Sequence, residues 1–177
     1  MAASGVPTPD RTGRASAATV PTQRGALAQS AIVSWVLRVG TAAALGIDAL
    51  VHWQNASAYD AVRATISQGG LFRVEAAVAV VVGLLVLVRP RPSSWVAALA
   101  VAASALAAVL LYRYVDVGSL GPLPDMYENT WQVPGKLLSA YAEAAAVVLA
   151  GLGLLTHRKR PGTQRLLPVA ATARKRG

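Results

Sequence analysis

The chain alternates between long apolar runs and short polar or charged breaks, and four runs dominate it: residues 31–53, 71–89, 94–112 and 137–156. Crossing about 30 Å of hydrocarbon takes about 20 predominantly apolar residues in a helix. The third run, SWVAALAVAASALAAVLLY, carries no charge, and the fourth carries only Glu143. The second is uncharged from 76 to 88 but opens with Arg73 and Glu75. The runs are continuous rather than alternating with period two, so they predict spanning helices and not barrel strands. The expected fold class is all-α: an integral membrane four-helix bundle.

The breaks predict the rest of the architecture. The RPRPS turn at 89–93 is too short for anything but antiparallel neighbours on either side of it. In residues 54–70, Ser57 stands as a helix N-cap with Asp60 three positions on, and Tyr59, Val62 and Ile66 share a face ahead of Gly69 and Gly70. That pattern predicts a short interfacial helix. Residues 115–135 carry three prolines and predict an ordered loop draped over the bundle. Residues 1–30, rich in Ala, Ser, Thr, Pro and Gly, read as a flexible arm, and 157–177 as a flexible basic tail. The arm lacks the apolar core of a signal peptide, so the first span is expected to direct insertion.

Composition agrees with a membrane protein: charged residues make up 14 % of the chain, against about 25 % in soluble domains. Of the 17 Lys and Arg residues, twelve lie before the first run, in the 89–93 turn or after the last run. Arg63, Arg73, Arg113 and Lys136 lie on the other side. The positive-inside rule then puts both termini in the cytoplasm of a cell whose plasma membrane this protein crosses. The net charge of +9 becomes a topology signal and an attraction to anionic headgroups at the cytoplasmic face. Nucleic acid is not an expected partner, because no binding fold or interleaved aromatic pattern accompanies the basic tail. An Arg-heavy, Ala-, Val- and Gly-rich composition fits a GC-rich bacterial genome. On that reading the Asn55, Ala56, Ser57 triplet is a chance glycosylation pattern.

Eight aromatic residues fall in the outer half or its loops, and only Trp35 and Trp95 mark the inner interface. Belts normally occupy both faces, so the imbalance points to an organised outer surface. Small residues supply the close packing that lipid-embedded helices need. They are the alanines of the third run, the Gly40 and Ala44 pair, and Ala140 with Ala144, continued by Gly151.

The intramembrane charges carry the candidate chemistry. Ser34, Arg38, Thr41, Asp48 and His52 form one helical stripe, with Leu45 filling the gap. Asp48 and His52 are one turn apart, as are Ser139 and Glu143, with Lys136 on the same face. Counted inward from the outer helix ends, Asp48, His52, Glu75, Arg113 and Glu143 lie in the same half of the membrane. Each central ionisable group costs about 2.5–3.5 kcal/mol on insertion scales. The expectation is therefore that the carboxylates converge, with His52, Arg113 and Arg73 as the cations available to pair with them, rather than face lipid. Arg73, which does not share a face with Glu75, is expected to snorkel outward, and Arg38 to reach the cytoplasmic headgroups.

Such a cluster suits protons, a cationic or polar ligand, or a quinone headgroup; it also suits an internal ion-pair network that sets helix register, or a subunit contact. No residue pattern implies a resident cofactor or a catalytic centre. A bis-His haem is excluded by the opposite depths of His52 and His157, and a zinc site with one His and several carboxylates is short of the usual ligands. With no Cys, thiolate chemistry is absent.

The segment LRVGTAAALGIDALVHW, followed by LFRVEAAVAVVVGLLVLV, a charged turn and a small-residue helix, resembles the DoxX-like group of small four-helix bacterial membrane proteins. Glu75 and Gly83 match that family's acidic opening and Gly-containing aliphatic run in the second span, and the likeness covers residues 36–112. His52 and Trp53 depart from the family's usual ending of span one, and the Pro-rich outer loop has no counterpart in it. The resemblance implies an accessory membrane subunit linked to redox or respiratory partners. The leading expectation is thus a non-catalytic accessory or assembly subunit, contacting another membrane protein or a second copy of itself. A small proton-coupled transporter or channel using Asp48, Glu75 and Glu143 stands as the alternative, and a quinone-binding redox subunit as the third.

Overall fold

A computed structural model describes residues 23–158 of the chain, so the predicted arm over 1–22 and tail over 159–177 lie outside the described residues. The described chain is all-helical: α1 (Gln23–Asn55), a single 3-10 turn (Ala56–Tyr59), α2 (Gln68–Val88), α3 (Pro92–Tyr114) and α4 (Lys136–Arg158). Each of the four long helices is long and apolar enough to cross a membrane. Successive helices run antiparallel and pack in a ring, α1 on α2 and α4, α3 on α4, with the α2–α3 contact the sparsest of the four. One end of the bundle carries only the turn at 89–91; the other carries the 56–67 and 115–135 connections. These are called the turn end and the loop end below.

Burial follows the helical period. The inward residues are Ala76, Ala79, Val82 and Val86 on α2, and Trp95, Ala98, Ala102 and Ala105 on α3. On α4 they are Ser139, Ala142, Glu143, Ala146 and Ala150. Alanine at these sites lets the backbones approach until van der Waals contact holds them, which is the available attraction between helices in lipid. Gly40 works as expected, since a Cβ there would press on Leu149 Cδ1 at 3.0 Å. The other expected seam is displaced. Gly151 faces open space and Ala140 and Ala144 are only half-buried, while the buried line on α4 runs one position round through Ala146, Ala150 and Gly153. Spacing alone leaves two adjacent faces of a small-residue helix equivalent, and the partner decides between them. That partner is Trp95. Its indole is fully buried against Gly153, where a Cβ would collide with the ring, and it lies 6.2 Å from the His157 ring. Trp95 is therefore a core wedge and not the interface anchor its position near a helix end suggested.

Three boundaries also differ from expectation. Helix α1 already runs from Gln23, so residues 23–30 are helical rather than part of a flexible arm. The predicted interfacial helix is only the Ala56–Tyr59 turn, capped at Asn55 without a side-chain bond. Ser67, not Ser57, is the working cap: its Oγ accepts from Gly70 N at 3.0 Å and starts α2. Gly69 and Gly70 thus open a helix instead of closing one. Gly69 is required there, because a Cβ would run into the Ala56 carbonyl and the Asp60 carboxylate.

The 115–135 loop is ordered over the loop end as expected. Ile66 N donates to Pro122 O at 3.1 Å and Glu128 N to Tyr112 O at 2.9 Å. Asn55 Nδ2 donates to both Val51 O (2.9 Å) and Pro134 O (3.1 Å), clipping the end of α1 to the start of α4. Gly135 takes φ +78° in contact with Val51, a conformation that side chains other than glycine's resist.

Candidate functional site

Asp48, Glu75 and Glu143 come to one level for a simple reason. Each lies seven residues from the loop-end terminus of its helix, Asn55, Gln68 and Lys136 respectively, which is about 10 Å of helix. Asp48 and Glu143 are both fully buried, facing each other between α1 and α4. His52 Nδ1 lies 2.9 Å from Asp48 Oδ1, one turn down the same helix, and 3.1 Å from the Asp48 carbonyl. Ser139 Oγ lies 2.6 Å from Asp48 Oδ1 and 3.1 Å from Glu143 Oε1. Candidate ligand atoms of Asp48, His52 and Glu143 all fall within 4.8 Å of one another.

This network is short of positive charge. Ser139 has one hydroxyl proton for two carboxylates. The second oxygens, Asp48 Oδ2 and Glu143 Oε2, are buried without a hydrogen-bond partner, and Glu75 Oε1 is in the same position. The nearby cations are engaged elsewhere. Lys136 Nζ donates to Glu128 at the carbonyl (2.9 Å) and at Oε2 (3.2 Å). Arg73 forms a two-pronged pair with Asp60 at 2.7 and 2.8 Å, and that guanidinium holds the Asp60 carboxyl below the usual carboxylate range. Arg113 makes no ion pair among the described residues; its guanidinium stacks 5.0 Å from the Tyr114 ring and 5.6 Å from that of Trp131. The expected pairing of Arg113 with the carboxylates is thus replaced by cation–π contact, because Arg113 stands one residue from the loop-end terminus of α3 while the carboxylates lie seven residues inside their helices. Arg38 lies 5.7 Å from the Trp35 ring, midway along α1.

A cavity of about 370 Å³ adjoins the network. Its walls are largely apolar, with Leu71, Phe72 and Val74 from α2, Ala105, Ala108, Val109 and Tyr112 from α3, and Met126, Val133 and Pro134 from the loop. His52, Glu75, Ser139, Lys136, Glu128 and Tyr59 supply its polar points. His52 meets the Phe72 ring edge-on at 5.0 Å, and Phe72 in turn meets Tyr59 at 5.2 Å. Tyr59 donates its hydroxyl proton to Glu128, 2.9 Å from Oε1.

Of the five residues expected at the site, Asp48, His52 and Glu143 meet directly, Glu75 joins through the cavity wall, and Arg113 stays apart. Glu128 and Tyr59 were not anticipated. Glu128 sits in a connection without periodicity, and Tyr59 figures in the sequence only as part of the apolar face of an interfacial helix, so the pairing of the two had no signal there. Neither protein-family models, nor characterised proteins, nor solved structures show a match to this chain.

Proposed function

We propose that this chain is a multi-pass plasma-membrane protein, both termini in the cytoplasm, that serves as a non-catalytic accessory subunit and holds a small amphiphilic ligand at the extracytoplasmic end of its bundle. The observation that carries this reading is the cavity. It has the volume and the mostly apolar wall, with a few converging polar groups, of a small-molecule site. It lies at the sparsest helix contact, α2 on α3, and the exposed side chains of Val74 and Ala108 border it there. A ligand dissolved in the bilayer has a lateral way in. His52, and Lys136 with a proton beyond the two it gives to Glu128, offer donors on the cavity wall that suit a flat ring with opposed carbonyl oxygens, and a quinone headgroup has that form. The basic residues at the turn end support the orientation, and the DoxX-like pattern of residues 36–112 supports the accessory role beside a redox partner.

The test is extraction of quinone and lipid from protein purified in mild detergent, read by mass spectrometry and redox difference absorbance. Stoichiometric quinone that is lost in Ala105→Phe, with the fold intact, supports the reading. A wild-type protein that carries no quinone and does not bind an added short-chain quinone overturns it. Orientation is checked separately in the Cys-free chain: an impermeant maleimide should label Asn129→Cys in intact cells and Ser4→Cys only after lysis.

One observation favours a proton-coupled transporter as the second reading. Glu143, Ser139, Asp48 and His52 form a continuous hydrogen-bonded chain from the helix interface to the cavity wall. Toward the turn end it stops, because the buried Leu45 lies between Asp48 and Thr41. Proton flux abolished by Asp48→Asn and by Glu143→Gln at unchanged protein level supports a transporter, and equal flux removes it.

A further inference from the structure

Beside the two buried carboxylates, only His52 among the described residues can carry a balancing charge, one short of what the pair holds when ionised, and their placement indicates what supplies the rest. Asp48 and His52 occupy one turn of α1, Ser139 and Glu143 one turn of α4, and the two turns face each other. Four donor groups then converge from two helices, as in bundle metal sites built from paired side chains on facing helices. The three strongest candidate donors already lie within 4.8 Å of one another. Four-coordinate zinc, with bonds of about 2.0–2.1 Å, separates its ligands by about 3.3 Å, so the gap left to close is about 1.5 Å at most.

The second observation is independent of this clustering. Asp48 Oδ2 and Glu143 Oε2 belong to residues 1 % and 0 % exposed, and neither oxygen has a hydrogen-bond partner. An unpartnered carboxylate oxygen inside an apolar bundle is among the most costly arrangements a helix can carry. Two carboxylates and a neutral imidazole around one divalent cation sum to zero charge, and both oxygens acquire a ligand bond.

We propose that Asp48, His52 and Glu143, completed by the Ser139 hydroxyl, bind a divalent first-row transition-metal cation of the zinc type between α1 and α4. The imidazole favours zinc, iron, copper or nickel over magnesium, calcium and manganese, and the absence of Cys excludes a thiolate site. His52 and Ser139 also line the cavity, so an ion arriving from the loop end reaches the site past the free oxygen of Glu75. The site stands whether or not a quinone fills the cavity.

The experiment uses the full-length protein in mild detergent, stripped with a chelator and titrated with Co²⁺ as a spectroscopic probe, then with Zn²⁺ in competition. A ligand-field band saturating at one Co²⁺ per chain and erased by Zn²⁺ is expected. Glu143→Gln, which keeps the side-chain shape, and Asp48→Asn should each weaken binding by at least about tenfold, the lower end of what loss of even an outer-shell partner costs. His157→Ala, which alters the remaining histidine of the chain, should leave the band unchanged. Should His52→Ala fail to fold, Glu143→Gln still decides the matter. No band in the wild type, or equal Co²⁺ affinity in Glu143→Gln and Asp48→Asn, overturns the proposal. Quinone content measured on the same preparation keeps this outcome separate from that of the cavity.

Discussion

At the turn end, the Trp95 indole lies flat against Gly153 with alanines above it on α3 and α4. At the loop end, the same helices are joined by Ser139 bridging two carboxylates, beside a cavity of about 370 Å³. The turn end is joined by a three-residue connection and filled to contact; the loop end is covered by a 21-residue segment and left open inside. Shape complementarity is the strong term where water and lipid give no apolar driving force between helices. Hydrogen bonds between helices in lipid are weaker, about 0.6 kcal/mol on average. Stability is therefore expected to be concentrated at the turn end, while the loop end keeps a cavity and two buried carboxylates.

The most forceful way to break this comparison is Trp95→Ala. It removes the buried wedge and should cost about 3–5 kcal/mol, as large-to-small changes of a core aromatic do. Gly153→Ala attacks the same contact from the other side by driving a methyl into the ring, and overpacking of this kind costs about 1–3 kcal/mol. At the loop end Ser139→Ala deletes two bridging contacts, each about 0.6 kcal/mol on average and about 1.7 at most, so it should cost about 1–3 kcal/mol, less than the loss of the wedge. Unfolding in mixed detergent micelles measures all three on one scale. A Ser139→Ala penalty equal to that of Trp95→Ala would show the polar network, not the wedge, to be the keystone.

The smallest effect is expected from Asp60→Asn, which loosens the surface pair with Arg73. The folded-state value of Asp60 is depressed. Its contribution is accordingly full above the ordinary carboxylate value and disappears as the pH falls through the folded one. The wild type should lose a small part of its stability in that acid window, and Asp60→Asn should show no such loss.

Particular residues show how far the linear pattern reaches. The four long helices were legible because apolar runs of this length have few other uses, and the depth of the carboxylates was legible because helix rise is constant. The stripe from Thr41 through Asp48 to His52 is likewise a property of one helix. Arg113 shows where such reasoning stops. It lies in the expected half of the bundle, but one residue from the end of α3, short of the carboxylate level, where Tyr114 and Trp131 take its guanidinium. The sequence pattern pointed to Ser57 as the cap, whereas the structure starts α2 at Ser67, with Gly69 packed against Ala56 and Asp60.

By itself, then, the amino-acid sequence determined which segments are helical, their approximate ends and the level at which each charge sits, since these depend on local periodicity and on the constant rise of a helix. Tertiary structure alone decided which charges touch: that Asp48 meets Glu143 through Ser139, that Lys136 turns to Glu128, and that Arg113 leaves the cluster for Trp131. The reason is rotational. A helix presents every azimuth at every level, and only contact with its neighbours selects the one that faces inward.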